Sequence, residues 1–304
     1  MSTIEKMNPL FKKGQAGDSK DFIIYILEQM HKELKAKIKQ NYSVDQPLNQ
    51  YDRNNALAHF MEDFSRDCSI ISDAFFGFTE TTNECLNCKK KYNSCYLNNP
   101  ICYNFGIFNC LIFPLEEVKN YKNKNLMQSF FYMNNNMNYM NNMNNMNFMN
   151  NISQNNSVTL DDCFSYNQKT DLFTGENKNY CNICKQSYDS YYTSKIYSCP
   201  NNLILILNRG KNNMYNIKLY FNETIDITQY VVINDGNKWI YNLYGVITHI
   251  GESGPNAHFV ASCKSPIDNK WYKYNDAIVN PINNVQNEII NFGTPYILFY
   301  KKQN

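Results

Sequence analysis

Two pairs of cysteines in this sequence have a spacing that suits metal binding. Cys85 and Cys88 form one C-x-x-C pair, and Cys181 and Cys184 form a second. Two residues between cysteines allow both thiolates to turn toward one ion, and two such pairs complete the four-thiolate site of structural zinc, Zn²⁺. A long stretch of chain separates the pairs, so the fold must bring two hairpins together. The alternative interpretation is that one or both pairs are reduced, buried cysteines without a metal.

A histidine and an amide side chain form the second candidate site. His258 enters a predicted strand, a turn follows at residues 265–270, and the return strand ends at Asn275 and Asp276. A hairpin centred on that turn places His258 within a register step or two of Asn275. An imidazole whose second nitrogen donates to a side-chain oxygen has the fixed tautomer and ring plane that a general base requires. The alternative is an ordinary polar loop, and the hairpin by itself favours neither.

The composition limits the classes of partner and compartment. The chain has 304 residues, and 29 Lys and Arg against 27 Asp and Glu give a formal net charge of +2. This balance lacks the electrostatic footprint of a nucleic-acid binder, and no run reaches the ~20 apolar residues that cross a bilayer. The N-terminus has no secretory signal, and eleven cysteines are an odd number. We therefore expect reduced thiols in the cytoplasm, the nucleus or both, with no nucleic acid and no membrane as partner.

Two helices and a β-rich remainder must position these residues. Apolar residues recur at three- and four-residue spacing over residues 18–40, with Asp18 as the N-cap, and a second helix is predicted over residues 54–65. Beyond Ser72, aromatic and β-branched segments between Asn, Gly and Pro predict short strands. The strands predicted in the C-terminal part are 203–207, 240–250, 258–263, 271–274 and 295–300.

A low-complexity block occupies residues 133–156. Most of it is Asn, and six Met residues recur within it at three- and four-residue spacing. That spacing could indicate a helical stripe, but Asn is a poor helix former and the block contains no Leu, Ala or charged residue. We therefore predict a disordered surface insertion.

The histidine hairpin resembles a known motif. The segment Ala257-His258-Phe259, followed by the segment from Trp271 to Asp276 and by residues 296–300, is similar to the histidine box of ubiquitin-specific proteases, which are deubiquitinating cysteine peptidases. Ala257 stands where that family usually has Gly, and Phe259 where it usually has Tyr. The resemblance implies a papain-like α+β fold with fingers, palm and thumb. It also implies that His258 is the general base, that Asn275 orients it, and that Asp276 supports the site.

Three further matches follow in the same order as in the family. The helix beginning near Asp18, with Gln15 before it, the two cysteine pairs, and the strand that ends at Arg209 each resemble a family segment. The resemblance therefore implies one domain over residues 1–304. Its parts are a partial helical thumb at 1–72, zinc-bearing fingers at 73–132 and 157–200, the insertion at 133–156, and a β-rich palm at 201–304.

The family's nucleophilic cysteine has no counterpart at the expected place. In the family it precedes the Asp18-type helix, whereas the first cysteine here is Cys68. Cys95 lies in a similar short motif, but it falls between the cysteine pairs, and Pro100 opposes the helix that a low-pKa thiol of this type needs. We expect either an N-terminally incomplete deubiquitinase or a catalytically inactive ubiquitin-binding scaffold. In both cases the expected partner is ubiquitin or ubiquitinated proteins, and the chain is expected to be a monomer.

Overall fold

The computed structural model describes residues 8, 11, 17–35, 44–93, 100–135, 156–209, 216–233, 236–251 and 258–303. Within these ranges the chain combines helices with strands in four sheets, the largest of which has eight strands. None of the helices in these ranges has the length and hydropathy of a membrane span. The α-helices are α1 Ser19–Glu33, α2 Arg53–Ser65, α3 Ile70–Phe75, α4 Leu86–Asn93, α5 Leu115–Asn135 and α6 Leu160–Asn167. The strands are β1 Gly77–Cys85, β2 Ile101–Phe108, β3 Leu111–Pro114, β4 Ser157–Thr159, β5 Thr170–Phe173, β6 Asn179–Cys181, β7 Gln186–Tyr188, β8 Ser190–Ser198, β9 Asn202–Asn208, β10 Lys218–Tyr220, β11 Thr224–Asp226, β12 Ile240–Ile250, β13 His258–Lys264, β14 Trp271–Asn275, β15 Ile278–Ile282 and β16 Thr294–Lys302.

The eight-stranded sheet is the centre of the fold. Seven of its strands follow the order β15-β14-β13-β12-β16-β9-β3. Strand β11 pairs with the first three residues of β12. The five residues from Leu203 to Leu207 on β9 are all buried, as their continuous apolar pattern predicts for a strand covered on both faces. Leu203, Leu205 and Leu207 join the larger core, while Ile204 and Ile206 face a second cluster with Leu27 and Ile71.

Helix α1 lies on this second face, and its start is fixed by Asp18. The Asp18 carboxylate accepts from the Lys20 amide at 2.8 Å, which is the expected N-cap contact. It also accepts from the Tyr296 hydroxyl on β16, at 2.9 and 2.8 Å to its two oxygens. The helix ends at Glu33, and residues 36–40 of the predicted helix lie outside the described residues. A side-chain contact therefore joins the start of α1 to the start of β16, an inner strand of the central sheet.

A four-stranded sheet, in the order β2-β1-β8-β5, extends from the central sheet and ends near the cysteine pairs. Helix α2 packs on it through aromatic rings: Phe60 and Phe64 contact Phe78, with centroids 5.2 and 4.9 Å apart. The Arg53 guanidinium donates to both carboxylate oxygens of the buried Glu80 side chain. This bidentate pair neutralises a carboxylate that burial would otherwise make unfavourable.

The prediction of short strands and turns beyond Ser72 missed the helices in that part of the chain. Helices α4, α5 and α6 lie in that part of the chain. Helix α5 contains five Asn residues, which are poor helix formers, and the burial of Leu115 and Val118 in the main core stabilises it. It runs to Asn135, so residues 133–135 of the predicted disordered block are helical, while residues 136–155 lie outside the described part. Strand β3, within the predicted finger segment, pairs with β9 of the central sheet.

We predict that the substitution Tyr296→Phe destabilises the protein by about 1–2 kcal/mol, because it removes a hydrogen bond to a charged carboxylate. Urea unfolding followed by circular dichroism measures this change. Tyr220→Phe is the matched control, since this tyrosine on β10 is half exposed. Equal stability of the two variants would contradict a structural role for the Tyr296–Asp18 contact.

Candidate active site and cysteine cluster

The hairpin of β13 and β14 carries His258 and Asn275 at its open end. Its paired residues run from Lys264 opposite Trp271 to Ala261 opposite Tyr274. If this register continues by one residue, Asn275 lies opposite Val260, two residues from His258 at the start of β13. The observed register therefore agrees with the one predicted from the turn at residues 265–270. His258 is held on its other side by pairing with Ile250 of β12.

The His258 ring and the Asn275 amide are in direct contact. The distance from His258 Nε2 to Asn275 Oδ1 is 2.6 Å. A carboxamide oxygen only accepts, so Nε2 must carry the proton and donate it. The neutral ring then has its lone pair on Nδ1, which makes Nδ1 the basic atom. The contact thus fixes both the tautomer and the plane of a half-buried imidazole.

Asp276 lies further from the imidazole than Asn275 does. Its carboxylate oxygen is 3.9 Å from His258 Nε2, and its side chain is 83% exposed. The residue has a positive φ of 50°, a conformation that Asp tolerates better than most residues because its short side chain can bond locally. At this distance and exposure Asp276 supplies a screened charge, whereas Asn275 supplies the directional bond.

Aromatic packing links the histidine strand to α1, and residue spacing alone does not show this link. Phe259, next to His258, has its ring 5.2 Å from His249 and 5.3 Å from Tyr296. Tyr296 in turn donates to Asp18. His249 is buried, and burial, together with the nearby Arg209 cation, lowers its pKa. Gln15, Cys95 and Ala257 lie outside the described residues.

The four cysteines of the two C-x-x-C pairs meet in one cluster, as their spacing predicts. Their sulfur atoms all lie within 4.8 Å of one another. Cys88 Sγ is 3.6 Å from Cys181 Sγ and 3.3 Å from Cys184 Sγ, so the contacts join one pair to the other. The end of β1 supplies Cys85 and the start of α4 supplies Cys88, whereas β6 and the turn after it supply Cys181 and Cys184. Pairing of β1 with β8 brings the two pairs together. The arrangement can hold a metal ion through four thiolates.

The surroundings of the cluster act on the charge of its thiols. Burial and the neighbouring sulfurs raise the pKa of Cys88. Although burial opposes it, backbone N–H groups of Cys184 and Ile183 lower the pKa of Cys181. Asn87 donates its side-chain amide to Cys184 Sγ at 3.3 Å. A bound cation would displace the thiol protons, and these donors would then stabilise the thiolates.

Comparison with known proteins identifies the family of this chain. The chain matches the family model described as "Ubiquitin carboxyl-terminal hydrolase" over residues 1–300. The chain belongs to this family. The family resemblance drawn from the sequence motifs is thereby confirmed.

Individual relatives cover part of the chain. Ubiquitin carboxyl-terminal hydrolase 17-like protein B of Mus musculus is 32% identical over 142 residues, which are 45% of this chain and 29% of the relative. Ubiquitin carboxyl-terminal hydrolase 16 of Arabidopsis thaliana is 34% identical over 149 residues, 47% of this chain and 14% of the relative. The matches therefore span less than a third of the length of these relatives.

Solved structures of the yeast SAGA deubiquitinating module share the fold. A chain of the module that carries an Sgf73 mutant has a TM-score of 0.59 and 20% identity, with 94% of this chain and 51% of that chain covered. A chain of the Ubp8/Sgf11/Sus1/Sgf73 module bound to ubiquitin aldehyde has a TM-score of 0.52 and 18% identity, with 83% and 47% covered. The papain-like α+β fold class predicted from the sequence is confirmed by these matches.

We predict that Asn275→Ala abolishes the preference of the neutral His258 ring for the Nε2–H tautomer, because the acceptor is lost. Two-dimensional ¹⁵N NMR of the histidine rings measures the tautomer populations. Asn275→Asp keeps an oxygen acceptor and should preserve the preference, and Asn280→Ala, at an exposed position on β15, is the control. An unchanged tautomer in Asn275→Ala would contradict the orienting contact.

Proposed function

We propose that this chain acts in the hydrolysis of isopeptide bonds at the C-terminus of ubiquitin, with His258 as general base and Asn275 as the residue that orients it. The observation that carries this proposal is the 2.6 Å contact between His258 Nε2 and Asn275 Oδ1 in a chain of the ubiquitin carboxyl-terminal hydrolase family. Asp276 is the acidic neighbour of this pair, with its carboxylate 3.9 Å from His258 Nε2. Family membership supports the proposed reaction, and the contact supports His258 as its proton-transfer group.

The proposed mechanism follows from the tautomer of His258, in which Nε2 carries the proton and Nδ1 is the basic atom. Nδ1 of His258 accepts the proton of a thiol, and the thiolate attacks the carbonyl carbon of the C-terminal glycine of ubiquitin. The imidazolium then returns the proton to the lysine amine as the C–N bond breaks, leaving a thioester. Water, deprotonated by the same imidazole, hydrolyses the thioester and regenerates the thiol. The Asn275 oxygen stabilises the imidazolium in each step.

The thiol of this mechanism is not among the described contacts of His258. In the described part of the chain, the hydrogen bond of its ring goes to Asn275, and no cysteine sulfur bonds to it. This observation favours a second candidate function, a ubiquitin-binding relative that performs no hydrolysis. A His–Asn pair without a thiol cannot carry out covalent acyl transfer, so such a protein would act by binding alone.

Ubiquitin is the proposed partner in both cases. Two of the similar structures are SAGA deubiquitinating modules bound to ubiquitin aldehyde and to monoubiquitin. Their shared fold supports a ubiquitin-binding surface on this chain, formed by the fingers and the palm.

We also propose that the cysteine cluster holds one structural Zn²⁺. With Zn–S bonds of about 2.3 Å, a tetrahedral site has sulfur atoms about 3.8 Å apart, and the sulfur distances of 3.6 and 3.3 Å in the cluster approach that value. The donor set of Cys85, Cys88, Cys181 and Cys184 leaves no position for a reacting water, so the ion would stabilise the fingers.

We predict about one zinc per chain by elemental analysis. We also predict that Asn87→Ala releases zinc to a colorimetric chelator roughly tenfold faster than the unmodified protein, because the Asn87 amide that donates to Cys184 Sγ holds this ligand in place. Asn182→Ala is the matched control, because Asn182 lies within the other C-x-x-C pair and is exposed. Absence of zinc after expression in zinc-supplemented medium would contradict the site. Equal release rates in the two variants would contradict the role of Asn87.

We predict that the 304-residue chain binds fluorescently labelled ubiquitin but does not turn over a ubiquitin–amide fluorophore. His258→Ala should retain ubiquitin binding, because the base acts on the reacting bond and not on the body of ubiquitin. Fluorescence anisotropy measures binding, and release of the fluorophore measures turnover.

Three outcomes of this experiment would contradict parts of the proposal. A chain that is folded by circular dichroism but does not bind ubiquitin would exclude both candidate functions. Hydrolysis abolished by Cys95→Ala would place the nucleophile at Cys95. Hydrolysis that persists in His258→Ala would exclude His258 as the base.

A further inference from the structure

A cleft lies at the opposite end of the hairpin from His258. Its volume is about 640 Å³, and it forms where β9 and β12 begin and β13 and β16 end, near the turn after Lys264. Strand β13 begins at His258 and ends at Lys264, so its full length separates the cleft from the candidate active site. Its volume is within the range of about 300–1,000 Å³ that is common for small-molecule sites.

The cleft is lined by cations. Lys264 and Lys301 are exposed lysines of its lining, and none of the described residues that line it is acidic. Lys302 also lines it, but it follows Lys301 on β16, so its side chain lies on the other face of the sheet, with Nζ 3.5 Å from the ring centroid of Trp239. Since the whole chain has a net charge of only +2, two exposed lysines without an acid in the lining are a local concentration of positive charge.

The register of the strands brings amide groups to the same place. Lys301 pairs with Asn242 on one side and with Asn202 on the other, so the three side chains form a row across β12, β16 and β9 on one face of the sheet. Asn242 Oδ1 accepts from Thr224 Oγ1 at 2.8 Å and from Gln303 Nε2 at 2.9 Å. Because its oxygen is used in this way, Asn242 offers its N–H groups to a ligand.

A bulge adds a phenol to these donors. The register of β12 against β16 shifts between Leu243 and Gly245, and Tyr244 lies at the shift and lines the cleft. Burial, with a contribution from Cys263, raises the pKa of Tyr244 to about 12. The hydroxyl therefore keeps its proton at neutral pH and remains a donor.

From these donors we infer that the cleft binds a phosphate-bearing polyanion. The cationic groups are all lysines, which bind phosphate as point charges, whereas a planar carboxylate is better matched by the fork of an arginine. Two exposed cations suit an anion with more than one charge. The carboxylate of Asp268 in the adjacent turn is engaged by the Tyr272 hydroxyl at 2.7 Å and by the Lys270 amide at 3.2 Å.

The inference is tested by isothermal titration calorimetry at physiological ionic strength, with sodium tripolyphosphate and with ATP as separate probes. The double variant K264Q/K301Q should weaken binding of both probes by about tenfold or more, because the charges of both exposed lysines are lost. Both lysines are exposed, so the fold is expected to persist, and circular dichroism checks this. The matched control is K32Q/K90Q, which removes two exposed lysines on α1 and α4.

The two probes separate the sources of phosphate. Tighter binding of ATP than of tripolyphosphate supports a nucleotide ligand, and the reverse order supports a free polyphosphate chain. Absence of binding of both probes at millimolar concentration overturns the inference, and so does equal weakening by the control variant. Loss of ubiquitin binding in K264Q/K301Q, with phosphate binding unchanged, would assign the cleft to the ubiquitin interface instead. The inference is independent of the proposed hydrolysis.

Discussion

The pairing of β13 with β14 is the constraint on which the candidate active site depends. Side chains alternate along a strand, so a shift of one residue in this register would turn Asn275 away from His258. The observed register instead leaves the imidazole nitrogen 2.6 Å from the amide oxygen. The turn at residues 265–270 and the pairing of β13 with β12 hold this register from both sides. The chemistry of the pair is therefore a consequence of backbone hydrogen bonding.

The central sheet connects this hairpin to the rest of the molecule. Strand β9 is buried on both faces, so it joins the main core to the smaller core under α1 and α3. Tyr296 on β16 contacts both Asp18 at the start of α1 and the ring of Phe259 beside His258. Burial of apolar surface keeps the sheet in place, and these few directional contacts set the orientation of the site.

The cysteine cluster likewise depends on strand pairing. The spacing of a C-x-x-C pair directs two thiolates to one point, but it does not determine which other residues complete the site. The pairing of β1 with β8 and of β6 with β7 determines this, because it brings Cys88 Sγ to within 3.6 Å of Cys181 Sγ. The cysteine cluster thus closes the tip of a sheet whose base is held by α2 through Phe78 and Glu80.

The sequence by itself determined the features that depend on neighbouring residues. These are the metal-type spacing of the cysteines, the hairpin that joins His258 to Asn275, the buried strand β9, and the family motifs. Only the tertiary structure decided the features that depend on distant contacts. Helix α5 forms because Leu115 and Val118 meet the main core, and the row of Asn202, Lys301 and Asn242 exists because three strands share a register. Spacing along the chain encodes periodicity and turns, whereas long-range packing determines which segments meet.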